Sequence, residues 1–374
     1  MSNDTNQRPL RFLHIGDLHI TEAGLQNHLD LRRIVDEVNA NVSGGIDFVI
    51  LPGDNADDGT LEQFRIVHDE MSRLTAPWHA IPGDHDFKPK SLDNFYAGLK
   101  ARRLPYVTEI SGCRCIFLDV VSCGSGGPDF RLGASRLIWL REQLDAARRD
   151  RKVAAVLMHT YPADLRGEAE ELTTLFDDST VALVDMGHTH YNELANDGRT
   201  IYAATRSTGQ IEEGDVGFSF AAIDRGIVSW RFKTLKSPWP FVMITAPADR
   251  RLVTQPDSPD QILGASCEVR ASAWGSVPIA KALFKVDDGD WRLMQGGDGG
   301  LFTASATVPD RSFRLSVRVT DHRGGQDIDT VEVARTRTPL IRKPTGSDAA
   351  SIGAWPERHL LGTQLGPNRN GRKW

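Results

Sequence analysis

Five short apolar runs in this chain each close on an aspartate or a histidine, and amphipathic stretches separate them. They are LRFLHIGD, IDFVILPGD, WHAIPGD, VAAVLMH and VALVDMGH, with a sixth run, RCIFLDVV, in their midst. Short and rich in Val, Ile, Leu and Ala, they read as strands buried on both faces. Helical patterns lie between them. ASRLIWLREQLDAARR sets Leu137, Ile138, Leu140 and Leu144 on one side and Arg and Glu on the other. This alternation predicts α/β layering, and taken alone it predicts a plain doubly wound sheet. Sites in such sheets form in the loops beyond the strand C-termini. Asp17, Asp54, Asp84, His159 and His188 all fall there, and their joint placement says more than any one of them.

At 374 residues the chain has room for two or three domains and a sizeable core. The α/β pattern spans residues 9–236. SPWPFVMITAPADRR then changes the texture, and residues 237–337 read as short period-two strands separated by turns, an all-β sandwich. VDDGDW is a hairpin turn there, and Asp287, Asp288 and Asp290 read as its solvated residues rather than a calcium loop. Residues 338–374 read as a linker and tail, but Trp355, Leu360, Leu361, Leu365 and Trp374 are too apolar for a pure tail and predict docking on a domain or partner.

The formal net charge of -6 argues against broad contact with nucleic acid, which needs clustered Lys and Arg. The four cysteines, Cys113, Cys115, Cys123 and Cys267, form neither a zinc-ribbon spacing nor a disulfide framework, and Cys113 and Cys115 read as small core residues. A reduced, cytoplasmic compartment is expected, with no signal peptide in MSNDTNQRPL and no run long enough to span a membrane. Whether the chain forms a homo-oligomer stays open.

The motifs in order are GDLH (Asp17, His19), PGDN (Asp54), GDHD (Asp84, His85), MHTYP (His159) and MGHTH (His188, His190). Carboxylates and imidazoles without thiolates suit divalent ions such as Mn, Fe or Zn. Two ions about 3.5–4 Å apart need a shared ligand, which a carboxylate supplies. His14, His28, His68 and His79 have no motif partner and read as structural, and Asp57 and Asp58 as polar loop residues.

This order of motifs resembles the calcineurin-like metallophosphoesterase superfamily, and most of all its bacterial cyclic-nucleotide-phosphodiesterase-like branch, over residues 9–236. FRLGASRLIWLREQL is similar to a segment of that branch, with Arg136 where Gln is usual. The resemblance implies a four-layer α/β/β/α sandwich, the site on loops at one edge; the β region after it is Ig-like in general pattern. It implies that Asp17, His19 and His190 hold one ion, Asp84, His159 and His188 a second, and Asp54 both. His85 would face the phosphate and its leaving oxygen, Asp86 would order its loop, and Arg206 in AATRSTGQIEEG would contact a phosphate oxygen. The implied reaction is attack of a metal-bridging hydroxide on a small phosphodiester, cyclic-nucleotide-like or glycerophosphodiester-like. A phosphomonoesterase or protein phosphatase, or a non-catalytic metal-binding scaffold, is the alternative.

One letter departs from the family pattern. Asp84 stands where Asn is usual, giving three carboxylates instead of two. The site should still form, and the added charge should disfavour a dianionic monoester more than a monoanionic diester.

Overall fold

The computed structural model describes residues 8–42, 44–125, 129–178, 180–254, 264–334 and 350–363. The α/β part contains β1 (Leu10–His14), β2 (Phe48–Leu51), β3 (Trp78–Ala80), β4 (Tyr106–Ile110), β5 (Cys113–Phe117), β6 (Val153–Leu157), β7 (Val181–Met186), β8 (Glu193–Asn196), β9 (Ile201–Ala204), β10 (Gly217–Asp224) and β11 (Ile227–Thr234). Its helices are α1 (Gln26–Asn41), α2 (Leu61–Met71), α3 (Asp93–Leu99), α4 (Ala134–Arg149) and α5 (Ala169–Asp177).

The single doubly wound sheet expected from the pattern is corrected to two mixed sheets. One has the order β11-β10-β1-β2-β3 and the other β4-β5-β6-β7-β9-β8. The β1-β2-β3 pairs are parallel, while β10 and β11 add an antiparallel hairpin beside β1. In the second sheet β5, β6, β7 and β9 run parallel, with β4 and β8 antiparallel at the edges.

Period-two alternation explains the layering. Phe12, Phe48 and Ile50 of the first sheet and Phe117, Leu157 and Leu183 of the second share one buried cluster, so these faces meet. The opposite faces, with Leu13, Val49 and Leu51 or Val156 and Val184, pack with the helices. On α1 the buried Leu31, Ile34, Val35 and Val38 follow helical spacing. Helix α2 starts at a capping box in which Thr60 and Gln63 exchange hydrogen bonds. In α4 the buried stripe is Leu137, Leu140, Leu144 and Ala147, and Ile138, expected on that face, is 62% exposed. One position beyond Leu137 turns a helical side chain by about 100° and out of the stripe.

The remaining strands are β12 (Phe241–Ala246), β13 (Ser266–Trp274), β14 (Ile279–Val286), β15 (Arg292–Leu293), β16 (Gln295–Gly296), β17 (Leu301–Thr307), β18 (Phe313–Asp321) and β19 (Gln326–Val333). They form two sheets, β12-β13-β17-β16 and β15-β14-β18-β19, which share a core that includes Val269, Phe284, Val317 and Val331. The VDDGDW segment does join β14 to β15, and Asp287 accepts the Arg314 N–H and an Arg311 guanidinium bond. This β region is bound to the α/β part by apolar packing of Phe241, Met243 and Trp274, two of which lie against Phe220, and by polar ties. Arg231 pairs with Asp327, Trp274 Nε1 donates to the Gly45 carbonyl at 3.0 Å, and Arg11 donates to the Gly299 carbonyl at 2.7 Å.

Trp355 and Leu360 of the tail are buried in the cluster between the two α/β sheets, and Leu361 is largely exposed. Leu365 and Trp374 lie outside the described residues. No helix among the described residues is long and apolar enough to cross a membrane.

Candidate metal centre

The motif residues follow β1, β2, β3, β6 and β7, so the C-terminal ends of parallel strands from both sheets deliver them to one place. Potential ligand atoms of Asp17, His19, Asp54 and His190 lie within 4.8 Å of one another. Those of Asp54, Asp84, His159 and His188 form a second such group. Asp54 belongs to both, and its oxygens divide: Oδ2 lies 3.7 Å from His19 Nε2 and Oδ1 lies 3.6 Å from His159 Nε2.

Tight backbone turns produce this convergence. His19, Asp54, His188 and His190 all have φ between 43° and 69°. Such left-handed residues are uncommon and cluster where function fixes the chain. A Cβ at Gly83 would stand 2.1 Å from Asp54 Oδ1, so only glycine lets the loop after β3 approach that carboxylate.

Hydrogen bonds set the imidazole tautomers. His159 Nδ1 donates to the Pro52 carbonyl at 2.9 Å, which turns Nε2 toward Asp54 and Asp84. His19 Nδ1 meets Asp57 Oδ1 at 3.2 Å and leaves Nε2 facing the cluster. Asp57 also meets His85, whose Nδ1 is 2.9 Å from the Asp57 carbonyl and 3.2 Å from its carboxylate. Asp57, read from sequence as a polar loop residue, is therefore the group that orients both rings. The His19 hydrogen bond is the main cause holding its carboxyl well below the usual range, against burial.

The electrostatics fit a cationic occupant. Burial raises the Asp17 carboxyl well above its usual pKa, and its Oδ1 is buried with no hydrogen-bond partner. Burial lowers His190 to about 3, with help from His19, so its ring is neutral and able to ligate. His19 Nε2 and His190 Nε2 are only 2.9 Å apart. Burial opposes charge on His159, yet Asp54 and Asp84 push its pKa well above the ordinary value. These carboxylates therefore favour positive charge at His159 Nε2, whether a proton or a metal ion. Asp84 Oδ1 is 3.3 Å from both His159 Nε2 and His188 Nδ1; burial resists its ionisation, and these two partners hold its carboxyl far below the usual range.

Asp86 accepts from Gly83 N, Ala56 N and Asn55 Nδ2 at 2.8–2.9 Å and so ties the loops after β2 and β3 together. Burial, followed by the charge of Asp54, lifts its pKa to about 7 against these donors. His14 pairs with Asp185 at 2.6 Å between the two sheets, His28 with Glu70, and His79 with the Tyr106 hydroxyl.

Arg206 is corrected. Its side chain is 2% exposed, with the guanidinium on the carbonyls of Glu213, Asp215 and His359 and against the Phe232 ring. It therefore has no donor face to offer a phosphate. Within that segment Gln210 has its side chain on the cluster's side chains, with Nε2 3.1 Å from both His19 Nδ1 and Asp57 Oδ1. The segment was recognisable in sequence by its nearness to the last histidine motif, but nothing local singles out Gln210 within it.

Residues 10–192 match the family model of the calcineurin-like phosphoesterases. The chain is 28% identical over 158 residues to a protein of Arcobacter nitrofigilis named probable glycerophosphodiester phosphodiesterase GpdQ, covering 39% of this chain and 56% of the relative. It is 26% identical over 216 residues to a probable cyclic nucleotide phosphodiesterase of Synechococcus, covering 53% of this chain and 80% of that one. The chain thus spans little more than half the length of the first relative. A dimetal phosphatase from Danio rerio shares the fold at a TM-score of 0.51 and 14% identity, over 61% of this chain and 97% of that one.

Proposed function

We propose that the cluster holds two divalent ions, Mn, Fe or Zn, and that the protein hydrolyses small phosphodiesters of the cyclic-nucleotide or glycerophosphodiester kind. The division of the two Asp54 oxygens between two ligand groups carries this reading. Asp17, His19, Asp54 and His190 would hold the first ion, and Asp54, Asp84, His159 and His188 the second. Two bound ions would supply Lewis acidity and lower the pKa of an attacking water. The names of the two relatives support a diester substrate. The same reading takes the α/β part as a four-layer sandwich and the C-terminal β region as Ig-like, supported by the pair of sheets in each and the apolar cluster between them.

The chain's own residues account for the rest. His85 has Nδ1 engaged by Asp57, which leaves Nε2 as the nitrogen that would protonate the leaving oxygen. The backbone N–H of His85 donates to Asp54 Oδ1 at 2.9 Å and fixes this loop against the shared ligand. Asp84, at the partly open side, adds the third carboxylate.

The test is hydrolysis of an aryl phosphodiester and the matching monoester by metal-stripped protein re-supplied with Mn, Fe or Zn. Ion-dependent turnover with the diester preferred is expected, and turnover that ignores added ions would reject the proposal. Asp84→Asn should lower the diester-to-monoester ratio of kcat/KM by about fivefold, ~1 kcal/mol for one charge acting across a partly solvated site. An unchanged ratio would show that Asp84 does not set the preference.

A further inference from the structure

The C-terminal segment 350–363 crosses back over the α/β part beside the metal centre. Ile352 N donates to the Leu194 carbonyl at 3.1 Å and Asn196 N to the Ala350 carbonyl at 2.7 Å, which adds the segment to the edge of β8. Trp355 and Leu360 then close a tight loop on each other's backbone and bury their side chains in the inter-sheet core. Between them Arg358 is 2% exposed; it donates to the Trp230 carbonyl at 2.8 Å and to both oxygens of Asp329 on β19 at 2.8 and 3.0 Å. The segment is therefore anchored in the α/β core and in the β region at once.

The same loop presents the His359 carbonyl, with φ of 60° at that residue, to two side chains of the α/β part. Arg206 Nη2 donates to it at 2.7 Å and Asn192 Nδ2 at 3.0 Å. The Thr363 hydroxyl donates to the Glu213 carboxylate, which also faces the Arg206 guanidinium at 3.5 Å. Arg206 and Glu213 belong to the loop between β9 and β10, and the other side of that loop grips the first ligand group. Ser207 Oγ donates to the Asp17 carbonyl at 2.8 Å, and Thr208 N and Gly209 N donate to the same oxygen at 3.0 Å. A Cβ at Gly209 would stand 2.0 Å from the Leu18 carbonyl, so the loop lies directly on the Asp17-to-His19 turn. Gln210 completes the grip at His19 and Asp57.

We infer that segment 350–363 is a strap that positions the first metal site: through the His359 carbonyl and Arg206 it holds the β9–β10 loop against Asp17 and His19. In this role Arg206 is a positioning residue. Burying a guanidinium is costly, and the carbonyls of Glu213, Asp215 and His359, which accept from Nη1 and Nη2, offset that cost. Loss of the link frees the loop, and the ligands of one ion lose their support while those of the other keep theirs. The inference rests on the two-ion reading above.

The experiment is calorimetric titration of Mn into the metal-stripped full chain. Wild type should bind two ions. Arg206→Met should weaken one of them by about tenfold, the range for partners that orient ligands, and leave the other unchanged. The weakened site should be the one missing from His190→Ala. Arg206→Lys, which keeps one donor, should recover part of the loss. Thr363→Val, a milder change to the strap, should give a smaller loss at the same site, and it decides the matter where Arg206→Met does not fold. If the folded variants melt earlier when metal-free but bind both ions as wild type does, the strap is structural only and the inference is overturned. A wild-type chain that binds fewer than two ions overturns the two-ion reading itself, and the strap's role with it.

Discussion

Asp54→Ala is expected to lower diester turnover by roughly three orders of magnitude, about 4 kcal/mol of transition-state stabilisation, and to abolish paired ion binding. No other residue of the cluster serves both ligand groups. The loss should exceed that from His190→Ala or His188→Ala, each of which touches one group. Asp54 sits at φ 48°, where Asp is tolerated, and it also anchors the loop after β3 through the His85 N–H. Asp54→Asn keeps one oxygen and that turn, so it separates loss of the shared charge from loss of the loop. The measurement is kcat on the aryl diester together with ion content and melting temperature. A folded Asp54→Ala chain that still binds two ions and turns over would show that the two groups do not share this carboxylate.

His85→Asn should lower kcat by about a hundredfold or more while both ions remain bound, as for loss of a general acid. No ligand group shared with Asp54 includes His85, which lies instead with His19 and Asp57. Its ring is in edge contact with His19 at 4.4 Å between centroids and keeps about a quarter of its side-chain exposure. Proton donation predicts a dependence on the leaving group. The loss should be large for an alkyl diester, whose departing alkoxide needs a proton, and small for a nitrophenyl diester, which leaves without one. An equal loss on both substrates would assign His85 to phosphate binding instead.

The site was more legible in sequence than the fold. Asp17, Asp54, Asp84, His159 and His188 each close an apolar run, and strand ends in an α/β layer converge whatever the sheet order. The sheet order depends on pairings far apart in the chain, such as β1 with β10. No local pattern in LRFLH or GFSFAAID specifies that partner, so periodicity alone does not tell one sheet from two, and the expectation of two came from the motif resemblance. Arg206 was misread for the same reason. Its environment is set by His359, 153 residues away, so a guanidinium read as phosphate-facing is instead buried under the tail. Asp57 and Gln210 lacked any signal because orienting residues have no spacing rule of their own. They become visible only once His19 and His85 are placed beside them.

Manganese binding to the metal-stripped chain, followed by electron paramagnetic resonance, tests the central claim most directly. Two ions per chain with an exchange-coupled signal, lost in Asp54→Ala, is the result expected of a centre that shares one carboxylate. A single bound ion, or two that give the uncoupled signals of isolated Mn, would contradict it.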